Sequence, residues 1–314
     1  MHWHEWPLTV FTILGQMAVG AFLTLGFINV LGRRRFNDET VDRVADPALY
    51  AIGPVMVAAL LASIFHLGNP LNAPNALRHV ATSWLSREIV SGASFAAFGF
   101  AFAALLWLRW FSTTLRTALA VLTAVVGVAF IWVMASVYML PTVPAWNHWT
   151  TPAQFYLSAV IMGTMAIAVA FTSYPLIARR WPQLDRWVRG YHAEPSSYPE
   201  EEVEKFTRAL LRVIGIVVIV AIALQLIVLI MLMMRGQTSP NPPAVAFPMG
   251  WFIVRLALLT IGAGLMGAYI ATTAKREPAF TQLWLLATTS FVLVTVSELI
   301  GRFIFYGTMN RIGI

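Results

Sequence analysis

Cysteine is absent from the 314 residues, and charge is scarce: Asp, Glu, Lys and Arg together make 11% of the chain. Without cysteine there is no disulfide, no thiolate-held zinc, no iron–sulfur cluster ligated by this chain and no Cys nucleophile. Soluble domains carry about 25% charged residues, so this chain lacks the material for a polar shell. A soluble enzyme and a disordered chain are both excluded. Internal repeats and Gly-rich phosphate loops are missing too. What is present is apolar, 59% of the residues, with a net charge of +7. In so apolar a chain that charge marks loops at a membrane surface rather than a nucleic-acid partner.

A bilayer core is about 30 Å thick, and a spanning helix needs about 20 apolar residues. Eight stretches qualify: 7–31, 48–67, 89–108, 117–140, 152–178, 213–234, 248–271 and 283–306. Backbone groups in lipid must bond within their own segment, and the alternating short segments of a β-barrel are not seen. The expected fold is an all-α integral membrane protein, one polytopic domain over 1–314 built as a bundle of eight transmembrane helices. The first stretch is too long for a signal h-region, has no basic n-region and runs into Arg33-Arg34-Arg35, so it is expected to stay as a span.

Loop charge sets the orientation. Let face Y be the side of the N-terminus and face X the other. Face X carries fifteen basic residues: Arg33, Arg34, Arg35, Arg43, Arg109, Arg116, Arg179, Arg180, Arg186, Arg189, Lys205, Arg208, Arg212, Lys275 and Arg276. Face Y carries four: Arg78, Arg87, Arg235 and Arg311. Basic residues stay inside, so face X is expected to be cytoplasmic and both termini extracytoplasmic, in the periplasm of a two-membrane bacterium. The longest connection, 179–212, is basic at both ends and holds Glu200-Glu201-Glu202. It is expected as a solvated cytoplasmic linker, with or without a short surface helix.

Ionisable groups inside a span are costly and mark function, and here their depth is uneven. His66 ends the second stretch and Glu88 precedes the third, both at face Y. Arg255 lies about 10 Å below face Y, Glu298 about 12 Å and Arg302 about 6 Å, at 1.5 Å per residue. Gln16 joins them in the outer half of the first stretch. Each group has an ordinary explanation beside the functional one. Glu298 and Arg302 are spaced i,i+4 in the favourable order and can neutralise each other as a helix lock. Arg255 has no partner on its own helix; it completes an ion cluster with Glu298, or binds a ligand oxygen or a lipid headgroup. Helix dipoles and a cap at Ser86 alone accommodate Glu88 and His66. Taken together, a base and a carboxylate at one depth can handle protons.

Paired histidines deep in the spans, the usual axial ligands of a transmembrane b-type haem, are lacking: of His2, His4, His66, His79, His148 and His192 only His66 touches a span. Haem is not expected, and no metal site is expected either. A secondary transporter would place its polar groups near the midplane on broken, repeated helices, whereas these lie to one side. A lipid-soluble quinol reached from the outer leaflet, its two hydroxyls near proton acceptors, fits the asymmetry.

Three segments carry a family likeness: Trp3-His4-Glu5-Trp6-Pro7-Leu8 with Phe11-Thr12 and Gly15-Gln16; His66-Leu67-Gly68-Asn69-Pro70 followed by Leu85-Ser86-Arg87-Glu88-Ile89; and Glu298-Leu299-Ile300-Gly301-Arg302 with Phe305-Tyr306-Gly307. With its eight-span plan, the chain resembles the membrane anchor subunit of the dimethyl sulfoxide reductase family. The likeness is weakest over 179–212. It implies a heterotrimer in the bacterial inner membrane, with a molybdopterin catalytic subunit and a four-cluster iron–sulfur subunit on the periplasmic side. The anchor of such a complex oxidises menaquinol in anaerobic respiration and carries no haem, iron–sulfur cluster or molybdenum of its own. By the family pattern His66 and Glu88 fall at positions tied to quinol binding and oxidation. Arg255, Glu298 and Arg302 are physical candidates for the same site. Similar anchors serve sulfite, selenate and other oxyanion or N-oxide molybdoenzymes, so the terminal substrate is left open.

Overall fold

The computed structural model describes residues 6–65, 75, 77–108, 112–183, 200–238, 248–273 and 280–309. Eight helices account for almost all of them: α1 Trp6–Gly32, α2 Asp38–Phe65, α3 Trp84–Trp107, α4 Thr113–Ser136, α5 Thr150–Arg180, α6 Glu200–Thr238, α7 Met249–Thr273 and α8 Phe280–Gly307. Each contains a window long and apolar enough to cross a bilayer. A short 3-10 turn, Leu77–His79, precedes α3.

Three helices begin five or more residues earlier than hydropathy suggests. α2 starts at Asp38 instead of residue 48, and Pro47 is carried inside it. α3 starts at Trp84 because Ser83, not Ser86, is the N-cap: its side chain accepts a hydrogen bond from the Ser86 backbone N–H. Glu88 therefore sits on the second turn, beyond the strongest reach of the helix dipole. α6 starts at Glu200, so the run Glu200-Glu201-Glu202 opens a helix, where the dipole favours negative charge. With α5 running to Arg180, helix occupies both ends of the connection expected as a linker over 179–212.

Two helices form the centre of the bundle. The spanning window of α1 is 72% buried and that of α5 67%, against 17% for α3. α1 packs on α2, α4, α5 and α8, while α5 packs on α1, α2, α4, α6 and α8. Lipid tails are as apolar as leucine, so helices in a membrane gain by close approach at small residues. That approach occurs at Gly20 of α1 and Gly163 of α5. A methyl group added at Gly20 would overlap the Ala159 carbonyl oxygen, and one at Gly163 would overlap the backbone of Gly20 and Ala21. Thr24 and Thr164 join hydroxyls at 3.1 Å one turn further along. The side chains above this crossing, toward face Y, are thereby brought within reach of α8.

Overpacking a tight helix contact costs about 1–3 kcal/mol and backbone overlap more. Gly163→Ala is expected to lower unfolding stability in detergent by at least about 2 kcal/mol. Gly26→Ala, with open space around its Cα, should leave stability unchanged; equal effects of the two would contradict the crossing.

Candidate functional site

Three helical stripes build the site. On α8, Glu298, Gly301, Arg302, Phe305 and Tyr306 recur at i, i+3, i+4, i+7 and i+8, so they share one face. On α1, Thr9, Thr12 and Gln16 share a face, and on α5 Phe155 and Ser158 do. All three faces turn inward, since every one of these residues except the half-buried Phe305 is buried. The fourth side is closed by the connection after α4, which folds back into the bundle instead of running over its surface. Tyr138, Val143 and Trp146 of that connection are buried. The Trp146 indole N–H donates to the Phe305 carbonyl at 2.8 Å, and its ring stacks on Phe305 at 5.2 Å. His148 Nδ1 accepts from the Thr150 backbone N–H at 3.4 Å, just before α5.

The ionisable groups divide into two neighbouring sets. In the first, Glu298 Oε2 accepts a 2.6 Å hydrogen bond from Ser158 Oγ, and Glu298 Oε1 faces Arg255 Nη2 of α7 at 3.6 Å. The latter is an ion pair too long for a hydrogen bond. Arg255 reaches α8 because Gly301 leaves room: a methyl there would strike the guanidinium. In the second set, Arg302 Nη2 donates to Gln16 Oε1 at 2.8 Å, and Arg302 Cζ lies 3.7 Å from the centre of the Phe155 ring, a cation–π contact. The far end of the same amide is used as well, since Gln16 Nε2 donates to Met134 Sδ at 3.5 Å.

The intrahelical lock expected between Glu298 and Arg302 is therefore not the arrangement found. The two charges interact at longer range, but each spends its contacts on other helices. Arg255 pairs with Glu298, but the three-residue cluster that spacing left open is not completed, because Arg302 turns to Gln16 and Phe155.

Glu88 is 3% exposed, and its Oε1 has no hydrogen-bond partner among the described residues. Its neighbour Arg87 turns away, donating to the carbonyls of Val80 and Ala81 and lying 4.4 Å from the Trp84 ring centre. The carboxylate is buried, and the hydroxyls of Tyr138 and Tyr306 are 3.2 Å apart. His66 lies outside the described residues, so its distance from Glu88 is not part of this geometry. The site thus brings together Arg302, Gln16, Phe155 and the two tyrosines, with Arg255, Glu298 and Ser158 beside them, and Glu88 is buried on α3. Sequence reasoning passed over Tyr138, Ser158 and Met134. Tyr306 appeared only within a family segment. The i+8 spacing of Tyr306 from Glu298 was a usable signal; nothing in the sequence announced that the loop bearing Tyr138 turns inward.

Eight apolar helices around a buried polar cluster define a multi-pass helical membrane protein. Residues 1–182 match the family model described as DMSO reductase anchor subunit (DmsC). The protein is 31% identical over 313 residues to the C chain of the anaerobic dimethyl sulfoxide reductase of Escherichia coli (strain K12), covering 99% of its own length and 97% of that relative. It is 29% identical over 315 residues to the YnfH chain of an anaerobic dimethyl sulfoxide reductase of the same organism, with the same coverage. A shorter match, 30% over 181 residues, reaches the C subunit of the sulfite dehydrogenase of Allochromatium vinosum, covering 52% of this chain and 53% of that one. The chain belongs to the DMSO reductase anchor subunit family and is a multi-pass membrane anchor.

Removing one partner of a buried ion pair leaves an uncompensated charge and costs about 3–5 kcal/mol, while replacing both can be nearly neutral. Glu298→Gln alone is expected to lower the stability of the anchor by about 3 kcal/mol, and the double change Arg255→Met with Glu298→Gln to recover much of that loss. Exchanging Glu298 with Arg302 should abolish assembly, because their contacts lie on different helices. Normal accumulation of the exchanged protein in membranes would restore the intrahelical lock.

Proposed function

We propose that this chain is the quinol-oxidising anchor of a molybdopterin oxidoreductase in a bacterial inner membrane, with face Y outward. The observation that carries the proposal is Glu88, a buried carboxylate beneath face Y with one oxygen unpartnered among the described residues. Burying such a group without a partner is costly, and it is retained where the missing partner is a substrate hydroxyl. Membership of an anchor family supplies the context, and the named relatives supply the class of complex. An iron–sulfur subunit docked on face Y and a catalytic molybdopterin subunit are the expected partners.

Menaquinol enters from the outer leaflet between α2 and α3. One hydroxyl proton goes to the Glu88 carboxylate and the other to neutral His66, and two electrons leave to the partner's nearest iron–sulfur cluster, giving menaquinone. Both protons then pass to the outer water. When the terminal substrate is reduced on the same side, release and uptake of protons cancel and no charge crosses the bilayer. A second reading is favoured by the match to a sulfite dehydrogenase subunit. There the partner would feed electrons in, and the same site would reduce a quinone. The partner's potential, not this chain, sets the direction.

The test is Glu88→Gln and His66→Ala in the assembled complex. A proton acceptor of this kind contributes about a hundredfold or more, so quinol-driven turnover should fall about that far. Turnover driven by a reduced artificial dye, which delivers electrons to the soluble subunits directly, should be unchanged. Full quinol-driven turnover in both variants would contradict the proposal.

A further inference from the structure

We propose that the inward-folded connection 137–149 is the docking platform for the iron–sulfur subunit, with Trp149 as its anchor; this rests on the reading above that such a subunit covers face Y. The 13 residues from Val137 to Trp149 include no Asp, Glu, Lys or Arg. The shortage holds for the whole face. Face Y carries four basic residues, and of the 14 acidic residues only Glu5 falls in a face Y segment of the sequence. Glu88 and Glu298 are buried in the bundle, and the other acids lie toward face X. The bias that keeps Lys and Arg inside accounts for the few basic residues. Asp and Glu contribute little to that bias, so it does not account for the missing acids. A surface left to water carries charge of both signs. The core of a protein interface is depleted of charge and enriched in tryptophan.

The connection is also held still. Backbone bonds run from the Val143 N–H to the Leu140 carbonyl at 2.9 Å, and from the Trp146 and Asn147 N–H groups to the Val143 carbonyl at 3.0 and 3.1 Å. Thr151 Oγ1 donates to the Trp146 carbonyl at 2.6 Å, and the Trp146 indole fixes the loop to Phe305, one turn along α8 from Arg302. Between these fixed points Pro141, Thr142, Ala145, Asn147 and Trp149 are exposed. Trp149 is 49% exposed and directly precedes α5, yet its side chain makes no capping bond. A surface that is ordered beforehand costs less to bury. An aromatic belt at the lipid boundary explains a single tryptophan. It does not explain a cross-bonded loop whose exposed residues, interleaved with buried ones, all lack charge.

The experiment uses the assembled complex in native membranes. A photoreactive benzoylphenylalanine placed at Ala145 or at Asn147 is expected to form an adduct with the iron–sulfur subunit on irradiation. Trp149→Ala is expected to weaken attachment about thirtyfold or more, so that dye-driven turnover moves from the membrane to the soluble fraction. Trp149→Phe should keep more of it on the membrane. A charge introduced by Ala145→Arg or Asn147→Glu should release the soluble subunits likewise, whereas an open water-facing loop would take either change without effect. Adducts only with lipid or with a second anchor chain would overturn the proposal, as would full membrane attachment in Trp149→Ala and both charged variants. If Trp149→Ala fails to accumulate, the two charged variants decide. Glu88→Gln, which should keep the soluble subunits on the membrane, separates the two levels. Normal quinol oxidation in that variant removes the quinol reading and leaves the platform standing if the adducts form. Its loss beside full attachment of the loop variants removes only the platform.

Discussion

Hydrocarbon offers no hydrogen bonds, so every polar group this chain carries into the membrane must find its partner inside the bundle. That constraint depends on how closely the helices approach. At Gly20 and Gly163 the backbones of α1 and α5 touch, and only then do Gln16, Phe155 and Ser158 come near enough to serve α8. Gly301 plays the same part for α7, letting the Arg255 guanidinium lie against the α8 backbone. Small residues thus do more than tighten packing. They set the depth and distance at which a cluster of two arginines, one carboxylate and two tyrosines is tolerated.

The cluster is almost satisfied, and the exceptions are informative. Gln16 uses both ends of its amide, and Glu298 bonds Ser158 through one oxygen while the other faces Arg255 as an ion pair without a hydrogen bond. Glu88 has an oxygen with no hydrogen-bond partner among the described residues and no paired cation. Satisfied groups lock helices together; on the proposed reading, the open oxygen of Glu88 is where a substrate hydroxyl fits. The arrangement also separates labours in space. The Arg255–Glu298 pair joins α7 to α8 deeper in the bundle, while Glu88 sits near the end of α3, within reach of face Y.

Much of the fold was legible because lipid-facing residues write a long apolar signal, and all eight spans were visible in it. The helix ends were not. Asp38-Glu39-Thr40 and Glu200-Glu201-Glu202 read as loop because hydropathy measures burial in lipid, whereas capping and the helix dipole decide where a helix starts. The candidate residues were legible for the same reason as the spans, since charge stands out against hydrocarbon. Their partners were not. The i,i+4 spacing favoured Glu298 with Arg302, but tertiary contacts outweighed it: Gly301 admits Arg255, and Gln16 with Phe155 takes Arg302. Tyr138 stayed invisible because no periodicity reports a loop that tucks its aromatic residues between helices.

Photo-crosslinking of an azido-naphthoquinone to the assembled complex, followed by peptide mapping, locates the quinone most directly. A headgroup seated at Glu88 requires label on the first turns of α3, around Leu85 to Ile89. Label confined to α6 and α7, or to the connections on face X, would show that the quinone binds elsewhere and that the buried cluster only holds the bundle together.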